Sequence, residues 1–218
     1  MRFSKGKTFI APSRIFKSDL SLFFPNIRGQ TLLEDKTIKD TTPVFENKVS
    51  VVTVFNTQWA QNQVETFVSE KNNPELHKVI KSSGGIAQMV QLNVEENWMK
   101  AMIIKFFMPS LRKRMAKSDW GRYFLVRRGF TQEMQEAIGL LNTKVGYTYL
   151  VDGKCRIRWA GSGPCEGDEK EGIVRAIRRL IEESREATSG VKKKPTVMAP
   201  PSKTSVLKSK KKAAVSSL

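Results

Sequence analysis

The chain has 218 residues, room for one sizeable domain with extensions, and its 39% hydrophobic content with 12 Phe and 4 Trp supplies material for a packed core. A net charge of +17, eight units of it in the lysine-rich stretch 190–218, favours anionic partners: nucleic acid, anionic lipid headgroups or acidic proteins. Two cysteines and one histidine exclude a disulfide framework and a convincing zinc centre, and make a reducing compartment the default.

No run approaches the roughly 18 to 20 consecutive apolar residues of a membrane-spanning helix. The first residues lack a signal-peptide apolar core, and a cleavable transit segment is not evident. Residues 1–45 read as an irregular arm punctuated by Pro12, Pro25, Gly29 and Pro43, apolar enough around Phe23, Phe24, Ile27, Leu32 and Leu33 to dock on something.

The main domain is expected over 46–187. Val49–Phe55 (VSVVTVF) is short and rich in β-branched residues, the pattern of a buried strand. Asn56 and Thr57 are cap candidates for a helix over Gln58–Lys71, which Asn72-Asn73-Pro74 stops. A second helix over Pro74–Lys81 ends at Gly84-Gly85, and Ile86–Val94 reads as the next strand. An insertion of about 95–130 follows, with a helical pattern over 95–117 interrupted at Pro109 and a short apolar piece at Tyr123–Val126. Thr131 caps a helix over Thr131–Leu141.

Tyr147–Val151 and Lys154–Trp159 then flank Asp152-Gly153, which predicts a hairpin with a two-residue turn. Ile157 and Trp159 should share a core face with Cys155, leaving Lys154, Arg156 and Arg158 on a cationic face. Ile173, Val174, Ile177, Leu180 and Ile181 sit at helical spacing in a closing amphipathic helix over Glu169–Glu186. The basic end, 188–218, has the composition of a disordered tail.

A βαβ unit followed by a ββα unit is the arrangement of an α/β, thioredoxin-like fold: a mixed sheet flanked by helices. In the redox members of that fold a cysteine caps the first helix, whose N-terminus lowers the thiol pKa. Here the corner reads Phe55-Asn56-Thr57-Gln58-Trp59-Ala60, without sulfur, and Val145-Gly146 stand where a cis-proline usually precedes the third strand. The reading is therefore non-enzymatic, with no catalytic residue, cofactor or metal. Cys155 is expected in the core, Cys165 exposed on a loop, and His77 solvated on a charged helix.

Two features can bind. Trp98–Met108 (WMKAMIIKFFM) is apolar nearly all round, which usually marks a buried helix. The alternative is a surface that meets a hydrophobic chain or dips into a membrane interface, with basic residues beside it on anionic headgroups. The candidate contacts are Trp59, Trp98, Met99, Met102, Phe106, Met108, Arg112, Lys113 and Arg114. Lys192, Lys193, Lys194, Lys210, Lys211 and Lys212 are candidate contacts for an anionic partner, although no nucleic-acid-binding signature accompanies them.

Several strings carry a family likeness: Lys7–Pro12 (KTFIAP), Phe24–Gly29 (FPNIRG), Asp40–Pro43 (DTTP), Gln58–Ala60 (QWA), Trp120–Phe124 (WGRYF), Lys144–Tyr147 (KVGY), Tyr149–Asp152 (YLVD) and Cys155–Ser162 (CRIRWAGS). Together, and in order over roughly residues 7–182, they resemble the mitochondrial ATPase complex assembly factors that serve subunit a of the membrane (Fo) sector. The resemblance implies a thioredoxin-related fold without redox cysteines and peripheral association with the matrix side of the mitochondrial inner membrane. It also implies a chaperone that holds the hydrophobic subunit a until it joins the c-ring. It implies a job and not a set of site residues. The competing reading is a structural or RNA-binding component of a mitochondrial assembly such as the mitoribosome, driven by the basic tail. A residual redox role through Cys165 is the third.

Overall fold

The computed structural model describes residues 6–192. Its centre is β3 (Val49–Phe55), buried at every position, as its β-branched composition requires of a strand covered on both faces. A βαβ connection through α2 (Gln58–Val68) and α3 (Pro74–Ser82) brings β4 (Ala87–Val94) alongside β3 in parallel, Val49 opposite Ala87 and Phe55 opposite Asn93. On the other flank of β3, β6 (Tyr147–Val151) runs antiparallel, with Val54 opposite Tyr147 and Ser50 opposite Val151. β7 (Ile157–Ser162) pairs antiparallel with β6.

The helix ends carry the expected side-chain caps. Thr57 Oγ1 accepts the Ala60 N–H at 3.1 Å and opens α2. Asn73 serves two helices at once: its Oδ1 accepts the Leu76 N–H at the start of α3, while its Nδ2 donates to the Phe67 carbonyl near the end of α2. That double use ends α2 at Val68, three residues short of the expected Lys71.

The insertion adds α4 (Trp98–Arg114), a 3-10 turn at Lys117–Arg122, and β5 (Tyr123–Val126), which pairs parallel with β4. α4 runs unbroken through Pro109 rather than stopping there. Pro109 is exposed, so water can reach the Lys105 carbonyl that its missing N–H leaves free.

The N-terminal segment is more ordered than its composition predicts. Residues 28–31 (β1, Arg28–Thr31) and 38–40 (β2, Ile38–Asp40) extend the sheet beyond β5, giving a strand order β2-β1-β5-β4-β3-β6-β7. A short helix, α1 (Thr42–Phe45), leads into β3. Upstream, the chain lies along the outer edge of β7: the Phe16 N–H donates to Arg158 O, Ile157 N–H to Leu22 O, and Phe24 N–H to Cys155 O. An edge strand is thereby covered by the protein's own arm.

The link between β6 and β7 is not the expected two-residue turn. It spans residues 152–156, with the Cys155 N–H donating to Asp152 O and Cys155 at a positive φ of 60°. A bulge follows: Val151 faces Ile157 but Leu150 faces Trp159, so Arg158 is the extra residue. The alternation therefore flips. Trp159 packs with Phe67 and Ile173 on the α2 side of the sheet, and Ile157 joins Tyr149 and Val151 on the other.

No cationic face forms here. Arg158 is buried and paired with Asp152 and Glu183, and Arg156 with Asp152.

Both faces of the sheet are covered. α2, α3 and α6 (Glu169–Lys192) pack on one face through Phe67, Leu76, Ile173 and Ile177. The arm, α1 and α5 (Gln132–Ala137) cover the other through Phe24, Phe45, Met134 and Ile138. Lys193 onward, and with it most of the basic tail, lies outside the described residues.

Candidate functional site

At the C-terminal end of β3 the chain turns into α2 through Asn56 and Thr57. This is the corner where a redox member of the fold keeps its thiolate, and here it presents a carboxamide and a hydroxyl. The Thr57 hydroxyl is spent on the helix cap. Asn56 Oδ1 is buried without a hydrogen-bond partner among the described residues.

The corner is tightly built behind. Gly146 N–H donates to Gln63 Oε1, and a Cβ at Gly146 would collide with the Ala60 carbonyl oxygen. Only glycine admits the approach of that segment to α2.

Neither cysteine reaches this corner. The β3–β6 register places the 152–156 link, and Cys155 with it, at the opposite end of the sheet. Cys165 is half-buried rather than exposed on its loop. Its N–H donates to Thr66 Oγ1 at 2.7 Å, and Thr66 lies nine residues beyond the Thr57 cap, about 13 Å along the helix. Burial, then the neighbouring Glu169, push its thiol up to about 11. Burial also raises the Cys155 thiol, helped by Glu46 and Asp152. Both sulfurs are free thiols held away from the thiolate form.

His77 is half-buried rather than free in solvent, its Nε2 2.6 Å from the Val68 carbonyl. No group of three or more His, Cys, Asp or Glu among the described residues is arranged to hold a metal ion.

What stands beside the corner is α4. Asn97 opens it, its Oδ1 accepting the N–H groups of Met99 and Lys100. The helix rests on the body along one stripe, Ala101, Ile104, Met108 and Leu111, against Leu32, Phe55, Val64, Tyr123 and Leu125. Arg112 fastens its end: Nε and Nη2 donate to the Leu32 and Leu33 carbonyls, and the guanidinium stacks on Trp120.

The rest of the helix is not the core helix its composition predicts. Trp98, Met99, Met102, Ile103, Phe106 and Phe107 are each between 55% and 81% exposed. Six large apolar side chains on one helix face solvent with nothing described covering them, which is unusual for a surface patch.

Between this face and the start of α2 runs a groove of about 430 Å³, lined by Phe55, Gln61, Ile103, Ile104, Phe107 and Tyr123 among others. A second cavity of about 300 Å³ opens on the other side of the corner. The two share Phe55, Asn56, Thr57, Glu95 and Lys100. Glu95 is 8% exposed, with Oε1 accepting the Asn97 N–H at 3.0 Å, so a buried carboxylate fixes the turn from which α4 leaves the sheet.

The structure thus sorts the candidate contacts. Trp98, Met99, Met102 and Phe106 lie exposed together on α4, with Lys113 and Arg114 exposed at its end. Met108 is a correction: it points inward and belongs to the core. Arg112 is another, since its donors are committed to the loop at Leu32 and Leu33. Trp59 is half-exposed, but its ring tip lies near Gly6 of the arm, and the groove is lined by Gln58 and Gln61 instead. Ile103 and Phe107 are not among the contacts expected from sequence, although Ile103 sits one helical turn from Met99 and Phe106, Phe107 one turn from Ile103, and both share the exposure of Met99 and Phe106. Lys192 closes α6, and the other five tail lysines lie outside the described residues.

Comparison with known proteins gives this architecture a family. The model of the family described as ATP10 protein matches residues 1–180. The chain belongs to the ATP10 protein family. Relatives named mitochondrial ATPase complex subunit ATP10 are 26% identical over 186 residues in Eremothecium gossypii, covering 84% of this chain and 65% of that protein. The Saccharomyces cerevisiae relative of the same name is 28% identical over 192 residues, covering 81% of this chain and 66% of that one. The chain therefore spans just under two thirds of the length of these ATP10 relatives.

Among solved structures, a secreted thiol-disulfide isomerase from Corynebacterium glutamicum superposes with a TM-score of 0.52 at 12% identity, covering 81% of this chain and 99% of that one. A DsbF homologue from Corynebacterium diphtheriae gives 0.51 at 13% identity, covering 83% and 99%. The ATP10 fold seen here is thioredoxin-like, as the element order predicts.

Proposed function

We propose that the chain is a non-enzymatic assembly factor of the mitochondrial ATP synthase, which captures newly made subunit a of the membrane sector on α4 and holds it until it joins the c-ring. The observation that carries this reading is the apolar face of α4: six large side chains, 55% to 81% exposed, beside a groove of about 430 Å³. A hydrophobic client segment seated on α4 removes apolar surface from water on both partners, which favours association. Four of the residues concerned, Met99, Met102 and the aromatic pair Phe106–Phe107, combine the adaptable and rigid apolar surfaces that suit a client of irregular shape.

Membership of the ATP10 family, whose relatives are named as subunits of the mitochondrial ATPase complex, directs the choice of client. The thiols, both shifted toward the protonated form and both away from the corner, favour binding over exchange chemistry. Among the described residues no helix is long and apolar enough to cross a membrane. Kinship with mitochondrial ATPase complex subunits directs the reading to peripheral association with the matrix side of the inner membrane.

The test is a pulldown of subunit a with the Met102→Ser/Phe106→Ser variant. Both side chains are more than half exposed, so circular dichroism should report an unchanged fold while capture is lost. Retained capture would exclude this face.

A further inference from the structure

A second surface, on the opposite edge of the sheet from α4, is independent of the client reading. The arm segment 13–19 and the middle of α6 enclose an open cavity of about 950 Å³. Its wall is built rather than incidental. Phe16 donates its N–H to Arg158 O at 2.7 Å and accepts from Arg158 Nε at 2.9 Å, and Arg156 Nη1 donates to Ser18 O at 3.3 Å. β7 thus holds the segment against the body from both its backbone and its side chains.

The cavity is cationic. Arg158, at its floor, is committed to Asp152 and Glu183, and Arg179 to Glu182 and Glu183. Arg14, Lys17 and Arg175 also line it, are exposed, and make no ion pair among the described residues; against them stands one uncommitted carboxylate, Asp19. Guanidinium and ammonium groups lining one hollow suit an anionic phosphate group.

The segment then continues directly into a run of exposed apolar residues, Leu20 at 76%, Leu22 at 60% and Phe23 at 67%. Apolar side chains beside a cationic hollow match a lipid surface, where the headgroup is anionic and the acyl boundary apolar within a few ångströms. A nucleic acid offers no such apolar partner to Leu20 and Leu22. We infer that residues 14–23 and Arg175 form a docking site for anionic phospholipid: the cations hold the headgroup phosphate while Leu20, Leu22 and Phe23 enter the interface.

The test uses the full chain carrying Leu20→Cys labelled with an environment-sensitive fluorophore. Because the lysine-rich end also attracts anionic vesicles, the readout is the local blue shift at position 20 rather than sedimentation. Mixed phosphatidylcholine and phosphatidylglycerol vesicles should give a blue shift that phosphatidylcholine alone does not. Adding Arg14→Glu and Arg175→Glu should weaken it about tenfold or more in vesicle concentration, because each cation at an anionic surface is worth about 1 kcal/mol and reversal costs more. Lys36→Glu, between β1 and β2 at the far edge of the sheet, should leave it unchanged. An undiminished shift in the double variant, an equal shift with neutral vesicles, or loss caused by Lys36→Glu would each overturn the site. So would a blue shift produced by RNA and not by vesicles, which would hand the cavity to nucleic acid.

Discussion

Lys7 Nζ and Glu169 Oε2 stand 2.8 Å apart with side chains only 5% and 3% exposed, so one buried ion pair ties the arm to the first turn of the last helix. Every polar atom of the pair is occupied. Lys7 also donates to the Ser162 and Pro164 carbonyls, and Glu169 accepts the N–H groups of Ala11 and Glu166. Burying two charges is costly, but removing one partner is costlier, because the other is left uncompensated. Glu169→Ala should therefore destabilise the protein by about 3 to 5 kcal/mol in chemical unfolding, whereas Lys7→Met with Glu169→Leu should recover a large part of that loss. A double variant destabilised by the sum of the two single losses would show that the pair is not coupled.

Asp152 anchors the other end of the sheet, and its response to pH has a defined sign. Burial alone would raise its pKa, but the Arg156 side chain and the N–H groups of Arg156 and Lys154 outweigh it and hold the carboxyl below its usual 3.8. A depressed folded pKa gives stability that is present above the unfolded value and is lost as pH falls through the folded one. Unfolding midpoints should therefore drop below about pH 4, and Asp152→Asn should remove this acid dependence while destabilising the protein at neutral pH, since Arg158 beside it is buried. An unchanged acid limb in Asp152→Asn would contradict the assignment.

The Cys165 thiol carries a prediction of the opposite sign. With a folded pKa of about 11 against 9.0, its contribution to stability is full below about pH 9 and is lost as pH rises toward 11. The same shift leaves roughly one thiolate in several thousand at pH 7.5, so alkylation should be slow at neutral pH and accelerate only in strong alkali. Cys165→Ser should flatten the alkaline limb and leave subunit a capture intact. Loss of capture would revive a redox role.

Much of this architecture is legible in the chain. The β-branched run Val49–Phe55 is a strand over its whole expected span, and the apolar spacing of Ile173, Ile177 and Leu180 marks the packing face of α6. The strands Arg28–Thr31 and Ile38–Asp40 escape notice because RGQT and IKD carry little apolar pattern; their pairing is decided by β5, distant in sequence. The 152–156 link misleads for a different reason. Asp-Gly is strong hairpin chemistry, but Asp152 uses its carboxylate to hold the N–H groups of Lys154 and Arg156, and a longer, bulged link results.

The candidate face was visible as composition and invisible as exposure. A helix apolar on nearly all sides belongs inside something, and from Trp98–Met108 alone the only inside on offer is the protein's own core. The stripe through Ala101, Ile104 and Met108 satisfies the core, and the remainder of the helix is surplus to it. Arg112 shows the converse: a basic residue in a basic run, it is spent on backbone carbonyls that no sequence pattern announces.

Site-specific photo-crosslinking from position 106 in intact mitochondria tests the central claim most directly. Phe106 is 81% exposed, so a crosslinker there should leave the fold undisturbed and report whatever covers the helix. Adducts to unassembled subunit a, reduced when its synthesis is blocked, are the result that α4 as a client-binding face predicts. Adducts confined to ribosomal components, or none from position 106 while a crosslinker at an exposed residue outside α4 captures subunit a, would contradict it.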